Sequence, residues 1–173
     1  MVFPKSPNPS SQKPQTSAND PYSRTGASSG RRGGVYPIAG IYPLLRIDTL
    51  KMIKNRIGSD LFVADLEILE TKVDDRPAGS RMSWIGDYSK DPTPDNVKSF
   101  LMAASGLPAN AITADEVMNA TSNENPLHGR LVRLEATMIK KRNGDPFTLC
   151  VFSAVSDELQ SRSEDLRTTA GFI

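Results

Sequence analysis

With 173 residues, 38% hydrophobic and 24% charged, the chain has apolar material for one domain of ordinary size and not for two. One cysteine, Cys150, excludes an internal disulfide, and one histidine, His128, leaves no zinc site of nitrogen and sulfur ligands. The net charge of +1 conceals an asymmetry: residues 1–34 hold Lys5, Lys13, Arg24, Arg31 and Arg32 against Asp20 alone, so the remainder is mildly acidic.

Residues 1–36 are dominated by Pro, Ser, Gly, Asn and Gln. Their few apolar residues, such as Val2, Phe3 and Tyr22, are too scattered to bury a face, so the stretch reads as a flexible basic arm. Such an arm suits contact with a polyanion or with neighbouring subunits, or it is a solvated leader. No apolar run approaches the roughly 18 residues of a membrane helix, and no apolar signal segment opens the chain, so an intracellular, soluble product without membrane contact is expected.

Residues 37–156 read as the folded domain. Residues 41–55 and 61–71 form a long hairpin through the turn residues Gly58 and Ser59. Phe62, Ala64, Leu66 and Ile68 alternate with Val63, Asp65 and Glu67, the two-residue period of a strand with one buried face. A third strand over 80–88 carries the only tryptophan, Trp84. Thr93 as cap, Pro94 at the first position, and Val97, Phe100, Leu101 and Ala104 at helical spacing then predict a helix stopped by Gly106. Thr113 with Glu116 forms a capping box, stapled by Ile112 and Val117, for a second short helix. Two strands follow, over 130–141 and 146–155, joined through Asn143 and Gly144; Val132, Leu134, Ala136 and Met138 make the inward face of the first. Residues 157–173 are a polar tail with an apolar tip, Phe172 and Ile173.

Three strands, a helical insert and two more strands is the element order of an OB-fold, a five-stranded Greek-key barrel whose usual ligands are oligonucleotides and oligosaccharides. The fold class expected is therefore mainly β (α+β), OB-like, with the insert between strands 3 and 4. A generic α+β sheet with its helices on one face has the same order.

Enzymatic constellations are missing: there is no Gly-rich phosphate loop, no serine elbow and no pair of histidines. The acidic pairs Asp74 with Asp75 and Asp87 with Asp91 fall in turns, where Asp is favoured for backbone reasons. A non-enzymatic protein with neither cofactor nor metal is expected. A surface for single-stranded nucleic acid needs cations that track phosphates and rings on which bases stack. The strands supply Arg46, Lys51, Lys54 and Arg56, then Arg81, Trp84, Tyr88 and Lys90, then Arg130, Arg133, Lys140, Lys141 and Arg142. Tyr88 and Trp84 are the candidate stacking residues, and Arg81, Lys90, Arg133, Lys140, Lys141 and Arg142 the candidate phosphate contacts. Trp84 between Met82 and Ile85 also fits a core, and Lys140, Lys141 and Arg142 also fit a solvated hairpin tip.

The stretch from about residue 45 to 152 resembles the OB-fold single-stranded-DNA-binding proteins of tailed phages. The likeness rests on layout: a long first hairpin ending in Leu61, Phe62, Val63, Ala64, Asp65, Leu66, Glu67 and Ile68; Pro77, Ala78 and Gly79 leading into Met82, Ser83 and Trp84; and the helix over 97–105. It continues in residues 125–130 before a strand and in the basic hairpin with Pro146, Phe147 and Thr148. The resemblance implies sequence-independent coating of single-stranded DNA during phage replication or recombination, in the host cytoplasm, and a partner-recruiting tail to which Glu164, Asp165, Phe172 and Ile173 are similar. Arg162 and Arg167 dilute that tail. The alternative is a viral structural protein, a capsid decoration or assembly adaptor of the virion, whose arm clamps neighbouring subunits; either role is compatible with a homo-oligomer.

Overall fold

A computed structural model of the chain describes residues 35–140, 144 and 146–156. The expected arm up to residue 34, the tail from 157, and Lys141 and Arg142 lie outside the described residues.

The described chain is mainly β, an open antiparallel sheet of five strands with two helices. Strand β1 (Gly40–Lys54) and strand β2 (Asp60–Glu70) form the long hairpin, and β3 (Arg81–Asp87) continues the meander. After the helical insert, β4 (Leu131–Ile139) returns to the free side of β1, and β5 (Phe147–Ala154) pairs with β4. The sheet order is β3-β2-β1-β4-β5. β1 serves two partners because it is long: its first half pairs with β4 and most of its length with β2. Register breaks between Leu44 and Leu45 and between Ile47 and Thr49 bend it, as bulges do. Gly40 begins β1 at φ 149°, where a Cβ would stand 2.2 Å from Val73 Cγ2, so only glycine fits.

Helix α1 (Thr93–Ser105) buries Val97, Phe100, Leu101 and Ala104 and ends at Gly106, whose φ of 72° lets its N–H reach the Met102 carbonyl. Thr93 is not its cap, contrary to expectation. It is the first helical residue, buried, and its hydroxyl donates to the Asp87 carbonyl at 2.7 Å, tying α1 to the end of β3. A single 3₁₀ turn (Ala109–Ala111) leads to α2 (Ala114–Ala120), where Thr113 does cap, accepting from the Glu116 N–H.

The core face takes alternate residues of β2 to β5, namely Phe62, Ala64, Leu66 and Ile68 of β2, Met82 and Trp84 of β3, Val132, Leu134 and Ala136 of β4, Cys150 and Phe152 of β5, while the bulged β1 gives Tyr42, Leu45, Ile47 and Leu50. Met138, expected inward, is exposed, because β4 there runs past the core. Val35 and Tyr36, counted above with the arm, take part in the folded unit: Val35 bridges Met82 in parallel, and its carbonyl accepts from the Ser83 N–H.

Candidate nucleic-acid interface

Two surfaces carry the candidate residues. On the outward face of β1, β2 and β3 the register stacks residues in rows: Arg46, Glu67 and Arg81; Thr49, Asp65 and Ser83; Lys51, Val63 and Ile85. Crossing the strands along these rows places opposite charges side by side. Arg46 is ion-paired with Glu67 at 2.5 Å, and Lys51 with Asp65 at 2.8 Å. Lys54 pairs with Asp60 at 2.8 Å and Arg81 with Asp48 at 3.1 Å. The Asp65 carboxylate also accepts from Thr49 and from the buried Ser83 hydroxyl. Partial burial pushes its pKa up, but Lys51, Ser83 and Thr49 together outweigh that and hold it below the ordinary value. Arg81, a candidate phosphate contact, is therefore engaged, in a hollow of about 460 Å³ shared with Arg46, Asp48, Glu67 and His128. The loop before β4 closes that hollow: Asn125 Nδ2 donates to the Asp48 carbonyl, and His128 Nδ1 lies 2.8 Å from the same oxygen.

The second surface is the seam where β3 and β5, the two edges of the sheet, come near without pairing. A cavity of about 500 Å³ lies there, with Tyr36, Ile85, Lys90, Phe147 and Cys150 among its lining. Tyr36 reaches it because Val35 is held on the β3 edge. The residue is 42% exposed, and its hydroxyl lies beside the Cys150 thiol. Burial, then the proximity of Cys150, pushes the Tyr36 pKa up to about 12, and burial raises the Cys150 thiol to about 11, so both stay neutral. Ile85 (42% exposed) and Phe147 (39% exposed) complete an apolar rim. Ile85 belongs to both surfaces and joins them. Lys90 is the cation of the cavity wall; Asp87 and Asp91 stand beside it. The Asp87 carboxylate accepts from the Ser89 N–H at 2.9 Å, first among the causes that lower its pKa, as a turn aspartate does.

The remaining candidates separate. Trp84 lines the floor of the cavity but is only 4% exposed, with Phe62, Phe100 and Phe152 around its ring. It is a core residue, the alternative that its neighbours left open, and it offers no free face to a base. Tyr88 is half-buried against the core, and its burial, then Asp60, raises its pKa. Arg133 stands exposed on the outward face of β4, opposite Ser153, and lines neither hollow. Lys140 follows β4 directly, at the hairpin end where Ile139 pairs with Phe147. Among the described residues, Lys90, Arg133 and Lys140 make no ion pair.

Sequence reasoning did not single out Tyr36 or Ile85. Phe147 had a signal, its place beside the basic Asn-Gly hairpin; Tyr36 had none, since its role depends on a bridge to a residue far along the chain. Compared with known proteins, the chain matches no family model and no curated protein.

Proposed function

We propose that this protein binds single-stranded DNA without sequence preference, as a phage-type protein of replication or recombination, and that its sheet is an OB barrel left open between β3 and β5. Supporting the barrel are the sharing of β1 between β2 and β4 and the insertion of α1 between β3 and β4. One observation carries the binding reading: Tyr36, Phe147 and Ile85 line a single cavity with Lys90 on its wall, and the Lys140 hairpin end adjoins Phe147. Every base has a π-face, so rings and apolar edges in a furrow hold successive bases whatever their identity. The unpaired Lys90 and Lys140 are the phosphate contacts, joined by Lys141, Arg142 and the basic residues of positions 1–34. The outward face of β1 to β3, whose cations are neutralised by carboxylates, contributes register and apolar contact through Ile85.

Filter retention of labelled oligo-dT against mixed-sequence competitor DNA tests the proposal. Equal competition by pyrimidine-rich and mixed strands is expected; competition by duplex alone would refute it.

A second reading, a virion assembly subunit whose arm clamps its neighbours, draws on the bridge from Val35 to Met82, strand addition at a sheet edge on a small scale. Stoichiometric recovery of the protein in purified particles would favour it.

A further inference from the structure

The β1–β2 hairpin does not end where the core ends. Leu50 is the last buried residue of β1 and Phe62 the first of β2; β3 still pairs with Leu61 and the Tyr88 N–H donates to the Asp60 carbonyl, so residues 54–59 project beyond the third strand. Their tip is a built turn. Asn55 Oδ1 accepts from the N–H groups of Ile57 and Ser59, the Asn55 N–H donates to the Ser59 carbonyl, the Gly58 N–H donates to the Asn55 carbonyl, and Gly58 adopts φ 87°. At the crest of this ordered turn stands Ile57, 85% exposed, more than any other large hydrophobic among the described residues. The hydrogen bonds of the turn thus hold an isoleucine out in water. The projecting segment carries Lys54, which is ion-paired with Asp60, and Arg56, which has no ion-pair partner among the described residues, on a described body in which carboxylates outnumber cations. An apolar crest beside an unpaired cation is the pattern of side chains that enter between bases while a neighbour holds the phosphates.

Building on the single-strand reading, we propose that this tip is a second nucleic-acid contact, a wedge that inserts Ile57 against the last base pair where a single strand meets duplex, with Arg56 on the adjoining phosphates. Stepwise unpairing at that fork supplies new strand to the seam. Ile53 and Leu61, paired on the outward face of the hairpin, continue the apolar path from the tip toward Ile85.

The test uses the full chain, a forked duplex with 2-aminopurine in the base pair next to the fork, and oligo-dT as the single-strand control. Wild type is expected to raise the 2-aminopurine fluorescence. Ile57→Ser, unchanged in thermal melting, is expected to abolish the rise while oligo-dT affinity stays within about twofold, as for a surface substitution; Ile57→Met is expected to restore it. If wild type binds oligo-dT but Ile57→Ser raises the signal equally, the wedge is refuted and the single-strand reading stands. If Ile57→Ser loses oligo-dT binding as well, the tip is part of the general strand surface and the wedge is again refuted. If wild type binds neither DNA, the single-strand reading falls and takes the wedge with it. A change in oligomeric mass with no change at the fork would assign Ile57 to a protein contact instead.

Discussion

The indole of Trp84 lies stacked on the ring of Phe100, with centroids 5.6 Å apart and planes inclined by 27°. Phe152 meets both rings edge-on, at 5.1 and 4.9 Å, so strands β3 and β5 and helix α1 share one aromatic cluster beneath the open seam. The cluster holds the two sheet edges near each other without hydrogen bonds between them. Replacing Trp84 by Ala removes its centre and is expected to cost about 3 to 5 kcal/mol of stability. Urea unfolding followed by circular dichroism measures it. A loss of DNA affinity in Trp84→Ala with no loss of stability would return the residue to the stacking role that its burial denies it.

Gly86 makes the contact between β3 and α1 possible. A Cβ there would lie 3.0 Å from Thr93 Cγ2 and 3.4 Å from Val97 Cγ2, and both residues are buried. Gly86→Ala is expected to push the start of α1 outward and to destabilise by about 1 to 3 kcal/mol, the range for overpacking. Thermal melting reads this directly.

How much of this was legible beforehand differs by scale. The five strands and the first helix were, because alternation in Phe62, Ala64, Leu66 and Ile68, and helical spacing in Val97, Phe100, Leu101 and Ala104, are local signals of a one-sided core. The pairing of Arg46 with Glu67 and of Arg81 with Asp48 was not, since charges meet across strands only once the register is known. Nor was the seam, which joins Tyr36, Ile85 and Phe147 through tertiary structure alone. Trp84 was half legible: it alternates in phase with Met82 and Gly86, the inward face of β3, yet the same strand also offers outward positions at Arg81 and Ile85.

Asp65 makes stability depend on pH. Its pKa in the folded state lies below the ordinary carboxylate value of 3.8, because the hydrogen bonds from Lys51, Ser83 and Thr49 overcome its desolvation. The ionised form is thus favoured by folding, and its contribution is complete above the unfolded value and fades as pH falls from about 3.8 toward the lower folded value. Asp65→Asn is expected to be less stable than wild type at neutral pH and to converge with it under acid. Melting temperatures of both proteins from neutral to acid pH provide the comparison.

Tyr36 separates the ring from its hydroxyl. Tyr36→Phe keeps the ring in the seam and loses only the hydroxyl beside the Cys150 thiol, so oligo-dT affinity is expected to change little. Tyr36→Ala removes the ring and is expected to weaken binding about tenfold, in keeping with roughly 1 to 3 kcal/mol per stacked base. Fluorescence anisotropy of a labelled oligo-dT distinguishes the two variants.

The central claim, that flexible single strands lie in the seam with their phosphates on its cations, is most directly tested by oligo-dT binding across a salt series. Affinity is predicted to be measurable at low salt, and its logarithm to fall linearly with the logarithm of salt, by a slope of about −0.7 for each phosphate neutralised. Deleting residues 1–34 is predicted to make that slope shallower by removing Lys5, Lys13, Arg24, Arg31 and Arg32. No retention of oligo-dT at low salt, or binding indifferent to salt, would contradict the account.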